Sequence, residues 1–525
     1  MGRYIWGRIL RGLLSVIAVV GIVMVLVYSC LDRQLVFAAD PVYSKQTGNS
    51  REVYKMQQWE KYGYVDYVTY AEYLQSMVRD GELSAREYEV AVAFGDTPDK
   101  DSTQAAHHIA AFSQAYEEKG YHVIRLNADM KGKTEKYKEG GEPRLFAYRD
   151  IPVLERLVRY IAGLITVDSI HYVQDDIEDR GLRFTLYDPA YGGERFSPAI
   201  LGNGTRFKYL MYCDDRFPYI HQNLIRLNLG MSYSVDVGAE VWQTLTTSQG
   251  SFAYSTVTYP SGITQITADD LHSARYVAGS LENSTASVRN YFIDDYTGVQ
   301  TNKNGLSKLG YSFVIGLIAV GLSYLIAVPM ALWMARRKDH LPNKLGSFYI
   351  VFIMAVPSLA YIFLFKAIGR SLGLPTTFDM EAPTWLMYVM PIVSLALPAA
   401  ANVMKWLRRY LIDQMGSDYV KFARAGGLSE REIFGAHILK NAVIPIAHGI
   451  PAAVLFAMTG AIITERVYVV PGAGNVLTRA INAYDNGVIV GMVLFYAVLS
   501  VASVILGDLV MAALDPRIAL TRNRR

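Results

Sequence analysis

Cysteine is scarce in this sequence, whose 525 residues include two, Cys30 and Cys213. Two thiols exclude a disulfide-dense scaffold, because at most one bridge can form. Without CxxC spacing or clustered histidines they also do not make a metal or redox motif. Neither sign of charge dominates, with 51 Lys and Arg against 48 Asp and Glu. The chain therefore lacks the strongly basic surface that neutralises phosphates in nucleic-acid-binding proteins, and we predict no nucleic-acid partner.

Catalytic motifs are missing as well. The GKT that begins at Gly132 resembles the end of a phosphate-binding loop, but Asn127 occupies the position of the required earlier glycine. His107 and His108 are adjacent and do not form the HExxH pattern that places a zinc and a general base on one helix face. No GxSxG nucleophile elbow is present. We predict that the chain is not an enzyme and has neither catalytic residues nor a metal site.

Long apolar runs are abundant, since hydrophobic residues make up 51% of the chain. A helix of roughly 20 mostly apolar residues crosses the hydrocarbon core of a bilayer. Neighbouring helices allow such spans to contain prolines, because they satisfy the carbonyls that a proline leaves free. The sequence predicts an all-α polytopic membrane protein with six spans, at residues 9–28, 310–334, 346–365, 385–404, 446–464 and 488–513.

The stretch between the first two runs differs in composition. Residues 32–303 contain 37 acidic and 28 basic residues, whereas the rest of the chain contains 11 acidic and 23 basic ones. Lys and Arg accumulate on cytoplasmic loops. We therefore predict a cytoplasmic N-terminus with the first span in residues 1–31, an inserted extracellular domain in 32–305, and five further spans in 306–525. Both termini are then cytoplasmic, and so is the basic loop 405–444.

The N-terminus permits a second interpretation. Its basic start, apolar run and Cys30 are also arranged as in a cleaved secretory or lipoprotein signal. Tyr28 is bulky where a signal peptidase requires a small residue, and we therefore favour a retained span.

The inserted region has the pattern of an α+β domain. Ser84 and Glu87 form a capping box at the start of an amphipathic stretch. Asn203-Gly204 lies between two β-rich segments and predicts a tight hairpin turn.

A charged segment connects the fourth and fifth runs: "DYVKFARAGGLSEREIFGAHILKNAVIPI", residues 418–446. We predict that Asp418 caps a first short helix, which ends at Gly427. Ser429 and Glu432 form a capping box that begins a second helix. An amphipathic helix lying on the membrane surface remains an alternative. The glycine bend between two capped helices favours a docking element.

These residues resemble the cytoplasmic coupling loop of ABC importer permeases in the oligopeptide/dipeptide/nickel group, which typically reads DYVRxARAKGLSE before a helix ending NALIP. Residues 465–518 are similar to the carboxy-terminal block of that family, including PGxG at 471–474 and DPR at 515–517. The motif "NLGMSYSVDVGAEVWQTL" at 228–245 also resembles the family. The long first extracellular region resembles the enlarged loop of peptide permeases from Gram-positive bacteria.

The resemblance implies the type I ABC importer permease fold and a subunit of an oligopeptide importer in a bacterial plasma membrane. It implies five kinds of partner: a homologous second permease, two ABC ATPase subunits that bind ATP and Mg, an extracellular peptide-binding lipoprotein, a peptide substrate and membrane lipid. This chain itself would bind no cofactor. The residues implied in ATPase coupling are Ala423, Arg424, Ala425, Gly427, Leu428, Ser429, Glu430, Arg431 and Glu432.

Two alternatives and two polar residues remain open at this level. A dipeptide or nickel permease fits the same motifs, because a separate binding protein selects the substrate. A membrane receptor with an extracellular ligand-binding domain would be a different class, for which we expect a cytoplasmic signalling domain. Glu465 and Asp508 lie in or near predicted spans, where ionisable groups often serve function. A place on the translocation pathway and an interhelical polar contact are equally consistent with both.

Overall fold

The computed structural model describes residues 2–514 except 39, 96–102, 127–129, 132–133, 136–143, 214–218, 268, 282–283, 292–295, 297, 302, 339, 381–382 and 460. The GK of the GKT sequence and the DPR motif at 515–517 lie outside the described residues.

The first 307 residues comprise one long helix followed by a mixed region. The helices are α1 (Gly2–Cys30), α2 (Pro41–Lys45), α3 (Gly48–Lys61), α4 (Tyr70–Arg79), α5 (Ala85–Gly95), α6 (Thr103–Glu117), α7 (Val153–Ala162), α8 (Val241–Thr246) and α9 (Ala286–Tyr291). The strands are β1 (Val65–Thr69), β2 (His122–Arg125), β3 (Met130–Lys131), β4 (Thr134–Glu135), β5 (Leu145–Asp150), β6 (Ile165–Val167), β7 (Gly181–Thr185), β8 (Ala199–Asn203), β9 (Tyr209–Cys213), β10 (Ile220–Gln222), β11 (Ile225–Leu227), β12 (Ser255–Thr258), β13 (Thr264–Thr267), β14 (Asp269–Arg275) and β15 (Gly298–Thr301).

The remainder of the described chain is helical. Its helices are α10 (Lys308–Arg336), α11 (Leu341–Ala355), α12 (Ser358–Ser371), α13 (Val389–Met415), α14 (Asp418–Ala425), α15 (Glu430–Glu432), α16 (Lys440–His448), α17 (Ile450–Ala457), α18 (Ile462–Tyr468), α19 (Gly474–Asn482) and α20 (Asn486–Leu514). A π-helical turn, Ile433–Leu439, joins α15 to α16.

Five helical stretches are long and apolar enough to cross a membrane: Trp6–Cys30, Lys308–Arg336, Trp385–Met415, Glu430–Ala457 and Asn486–Leu514. The predicted third span at 346–365 is not one continuous helix, because α11 and α12 are bent by 112° relative to each other. Proline disfavours a helical conformation in the residue before it. Val356, which precedes Pro357, is extended at φ −84° and ψ 131°. The bent pair supplies a sixth span if it is counted as one.

The fifth span also differs from its predicted bounds of 446–464. It starts at Glu430, inside the segment predicted as a loop, and it ends at Ala457. Pro445, predicted to mark entry into the span, lies inside α16. Residues 405–415 belong to α13, so the predicted loop 405–444 is largely a continuation of two spans.

The region between α1 and α10 is α+β, as predicted. An antiparallel sheet of order β1-β5-β2 packs with α3 and α4, and a second sheet has the order β10-β9-β8-β7. The Ser84–Glu87 capping box is present, with Ser84 Oγ donating to Glu87 Oε2 over 2.6 Å. The hairpin at Asn203-Gly204 is longer than predicted: β8 ends at Asn203, Gly204 has φ +90°, and β9 begins at Tyr209.

A buried carboxylate joins this region to the last span. Asp485 is 0% exposed and precedes α20. Its Oδ2 accepts hydrogen bonds from Ser232 Oγ at 2.7 Å and from the backbone N–H groups of Tyr233, Ser234 and Val235 at 3.1, 3.0 and 3.1 Å. The motif at 228–245 is therefore a strap that wraps the carboxylate of Asp485.

We predict that Asp485→Ala strongly destabilises the protein. The substitution leaves four backbone N–H groups, those of Tyr233, Ser234, Val235 and Val488, and the Ser232 hydroxyl without this acceptor. An unsatisfied buried polar group costs about 1–3 kcal/mol. The loss should therefore exceed about 3 kcal/mol and lower the thermal unfolding temperature of the detergent-solubilised chain.

Two controls make this measurement specific. Asp485→Asn keeps one oxygen that can accept the same hydrogen bonds, so it should be milder than alanine. Asp413→Ala removes a carboxylate whose side chain is 62% exposed and should leave the unfolding temperature nearly unchanged. Equal unfolding temperatures for Asp485→Ala and Asp413→Ala would refute a structural role for the buried carboxylate.

Candidate functional site

The segment predicted to couple the chain to an ATPase is a helix–glycine–helix element, residues 418–432. Gly427 follows α14 with φ +84°, and no atom lies within 4 Å of the position where a Cβ would stand. The left-handed conformation favours glycine, because a Cβ there crowds the backbone. The capping box is confirmed: Ser429 Oγ donates to Glu432 Oε2 over 2.7 Å, and Glu432 N donates to Ser429 Oγ over 3.3 Å.

The predicted cap of the first helix is wrong. Ser417 precedes the helix in an extended conformation, and Asp418 is the first helical residue of α14. The Asp418 carboxylate pairs with Lys421 Nζ at 2.8 Å instead of accepting from the backbone of the first turn. Both side chains are largely exposed, so this pair contributes little to stability.

The element is fixed to two spans on its inner side. Val420, Ile433 and Ile438 are 0–3% exposed and pack in one cluster with residues of α10 and α13. The Arg336 guanidinium, at the end of α10, lies 4.1 Å from the ring centre of Phe434. The element is therefore in packing contact with both spans and is continuous with α16 through the π-helical turn.

Its outer side is free of contacts within the described chain. Of the nine predicted coupling residues, Ala423 is half-buried and the other eight are exposed. Arg424 Nε donates to Glu430 Oε1 over 2.6 Å, which ties the two short helices together across the glycine bend. Phe422 is 76% exposed beside them. Phe422 is not among the predicted coupling residues, although an aromatic residue on a short charged helix indicates a contact surface.

Two cavities lie above this element between α10, α13 and the fifth span. One has a volume of about 260 Å³ and the other about 370 Å³. Both are lined by Val320, Ala399 and Ala453, so they are two parts of one groove. The smaller part is mainly apolar. The larger part contains the polar and aromatic side chains of Ser323, Tyr324, Asn402, Trp406 and Tyr410.

Glu465 lies at the end of the smaller cavity and is 3% exposed. Its carboxylate accepts hydrogen bonds from Ser312 Oγ at 2.6 Å and from Gly474 N at 2.9 Å. A Cβ on Gly474 would lie 2.8 Å from Glu465 Oε2, and one on Gly472 would overlap the carboxylate. The two glycines of the PGxG sequence therefore leave room for this carboxylate. Glu465 thus makes an interhelical polar contact that joins α18 to α10, and it also lines the smaller cavity.

Asp508 lies in α20, away from both cavity linings. Its Oδ2 is 3.0 Å from Arg8 NH2, and its Oδ1 is 3.8 Å from His448 Nε2. The side chain thus bridges α20 to α1 and α16 as an interhelical contact. Among the described residues, no group of three or more His, Cys, Asp and Glu side chains is placed to hold a metal ion. Cys30 and Cys213 are both free thiols.

Comparisons with known proteins identify the family of this chain. Residues 327–520 match the family model described as "Binding-protein-dependent transport system inner membrane component". AmiC of Streptococcus pneumoniae, an oligopeptide transport system permease protein, is 35% identical over 529 residues that cover 99% of each chain. DppB of Lactococcus lactis, a dipeptide transport system permease protein, is 30% identical over 41% of this chain and 70% of its own. OppB of Mycobacterium bovis, an oligopeptide transport system permease protein, is 24% identical over 50% of this chain and 86% of its own.

The AmiC match extends through the α+β region as well as the spans, and the family-model match covers the coupling element and the α13, α16 and α17 side of the groove. The chain is therefore a multi-pass membrane protein that belongs to the family of binding-protein-dependent transport system inner membrane components, which includes the permeases of peptide ABC importers.

Proposed function

We propose that this chain is one permease subunit of an ATP-driven oligopeptide importer. The observation that carries the proposal is a helix–glycine–helix element that packs against α10 and α13, the helices that line the groove. The other side of this element is exposed. The oligopeptide assignment is supported by similarity to AmiC across 99% of both chains. The similarity to DppB covers 41% of this chain, which makes a dipeptide substrate the weaker alternative.

The proposed mechanism is mechanical. ATP and Mg bind to partner ATPase subunits, whose closure displaces the exposed surface around Gly427. The capping box at Ser429 and the burial of Val420 and Ile433 against α10 and α13 keep the two short helices from bending independently. The displacement then reaches α16, where Pro445 and Gly449 line the larger cavity. Movement of the element thus changes the width of the groove.

The proposed assembly contains a homologous second permease, two ABC ATPases and an extracellular peptide-binding lipoprotein. The groove is open along one side in the single chain, and a second permease facing it would complete a pathway. The peptide backbone carries both donors and acceptors, which Asn402, Ser323 and Tyr324 can satisfy while Trp406 packs against apolar side chains. The chain needs no cofactor of its own in this scheme.

We further propose that residues 32–305 lie outside the plasma membrane and that both termini and the coupling element lie in the cytoplasm. The distribution of Lys and Arg supports this orientation. The outer region then stands over the pathway entrance, where it receives the peptide-binding lipoprotein.

We predict that Gly427→Asp abolishes peptide uptake without removing the subunit from the membrane. The substitution adds bulk and charge at the docking surface and forces a non-glycine residue to φ +84°. The backbone cost is about 1 kcal/mol, too little to unfold packed spans. Uptake and the ATP hydrolysis stimulated by loaded binding protein should both fall sharply in reconstituted importer, while subunit assembly stays near normal.

Gly373→Asp is the matched control. Gly373 has φ +75°, also with no atom within 4 Å of a Cβ, but it follows α12 and not α14. The Gly373→Asp variant has the same backbone cost away from the docking surface, and an importer that contains it should take up peptide normally. Wild-type uptake by Gly427→Asp, or an equal loss in both variants, would contradict the coupling role.

The orientation is tested by cysteine labelling in a background with Cys30→Ser and Cys213→Ser. Ser251 and Ser429 are both exposed. In intact cells a membrane-impermeant maleimide should label Ser251→Cys but not Ser429→Cys, and permeabilisation should expose the latter. Labelling of Ser429→Cys in sealed cells would reverse the proposed orientation.

A further inference from the structure

Helix α7 belongs to the α+β region, yet it packs against the first membrane span. A Cβ built on Gly21 of α1 would lie 3.2 Å from Leu157 Cδ2. Val153, Leu157 and Tyr160 join a cluster with Val16, Val20 and Met24 of α1, and with residues of α20.

The position of Gly21 along α1 sets the depth of α7. The apolar stretch Trp6–Cys30 has 25 residues and is about 37 Å long, against a hydrocarbon core of about 30 Å. Gly21 lies nine residues, or about 14 Å, from the Cys30 end. It is therefore inside the core wherever the core is placed along this helix, and the side chain of Leu157 touches it there.

The last span also contacts the α+β region, at the same level of α1. Leu229, just after β11, packs so closely on α20 that a Cβ on Gly491 would overlap its carbonyl oxygen. Nearer the N-terminus of α1, a Cβ on Gly12 would overlap the side chain of Val501 in α20, so Gly12 and Val501 are level with each other. Helices α1 and α20 are antiparallel. Gly21 lies nine residues after Gly12 in α1, and Gly491 lies ten residues before Val501 in α20, so Gly21 and Gly491 are also level with each other.

At this depth α7 has an apolar side that no part of the described chain covers. Leu154 is 73% exposed and Val158 is 61% exposed, and they follow each other at i and i+4. The ribbon of β6 and β11 continues the surface: Ile165 pairs with Leu227 and Val167 with Ile225, all 39–64% exposed. We refer to these six side chains as the juxtamembrane apolar surface.

The opposite side of α7 is charged and engaged with the α+β region. Arg159 NH1 donates to Asp66 Oδ1 over 2.6 Å, and Arg156 NH2 donates to the Tyr64 carbonyl over 2.9 Å. Hydrogen bonds from Arg159 and Arg149 lower the pKa of Asp66. The helix therefore has one face held by ion pairs to the α+β region and another face that the described chain leaves uncovered. This is the pattern of helices that lie in a membrane interface.

We propose that the juxtamembrane apolar surface is immersed in the lipid leaflet nearest the α+β region, so that α7 is a monotopic membrane contact of this region. Lipid is the occupant because the surface continues the side of α1 on which Ile22 and Leu26 are 61% and 55% exposed at the same level. The proposal rests on α1 and α20 crossing the membrane and holds whatever the transported substrate is.

Spin labels test the proposal on the full-length chain, copurified with its partner subunits and placed in phosphatidylcholine–phosphatidylglycerol nanodiscs. Leu154→Cys and Val158→Cys are labelled in a Cys30→Ser, Cys213→Ser background. Val90→Cys, at a 44% exposed position of α5, is the control, since α5 packs on other helices of the α+β region. Collisions with oxygen, which concentrates in lipid, are compared with those of a water-soluble nickel chelate.

At Leu154 and Val158 we expect collision rates severalfold higher with oxygen than with the nickel chelate, and the reverse at Val90. A label at Leu154 that collides mainly with the nickel chelate lies in water, which overturns the proposal. A label there that neither reagent reaches is covered by another protein subunit, which overturns it equally.

Discussion

The carboxylate of Asp485 connects the two halves of this protein. A buried charge is unfavourable unless donors surround it, and here one oxygen accepts from Ser232 Oγ and from three consecutive backbone N–H groups. The network extends outward, since Tyr233 donates to the Tyr484 carbonyl and Asn486 Nδ2 donates to Tyr64 OH. The strap at 228–245 can therefore take only one position on α20. That position also sets where Leu229, β11 and α7 meet the spans.

Glu465 follows the same physical rule on the other side of the bundle. Its carboxylate is surrounded by Ser312 Oγ and Gly474 N, and the PGxG turn is glycine-rich because side chains at Gly472 and Gly474 would occupy the same space. The segment 461–474, which contains α18 and the PGxG turn and which we call the hook, is further held by Tyr468, whose hydroxyl lies 2.8 Å from Ser394 Oγ in α13. The hook thus closes one end of the groove through contacts with separate spans.

The coupling element depends on packing and not on charge. Its ion pairs are exposed and contribute little, whereas Val420, Ile433 and Ile438 are buried between α10 and α13. The long helices that line the groove and the short helices that face the cytoplasm in our proposal share one apolar cluster. In that arrangement the exposed glycine bend is the place where an external force can act, and the buried side determines where the force goes.

Local signals in the sequence were sufficient for several features of this structure. Apolar run length located the spans although the third is bent and the fifth has other bounds, the spacing of Ser429 and Glu432 predicted a capping box, and Gly427 marked the end of the first short helix. Each of these signals depends on neighbours within a few positions. The fourth-to-fifth connection was identified by its pattern, although Asp418 was assigned the wrong place in its helix. Val356-Pro357 was a visible breaker, but sequence alone did not tell a tolerated proline from a 112° bend.

Only the tertiary structure decided the contacts between distant residues. Asp485 meets a strap some 250 positions earlier in the chain, and Asp508 meets Arg8 at the other end of it. No periodicity or spacing encodes such a pair, because a carboxylate on an apolar helix is compatible with many partners. The level of α7 is of the same kind, because the packing of Leu157 on Gly21 joins two residues 136 positions apart, and that contact is the basis for the membrane contact we propose.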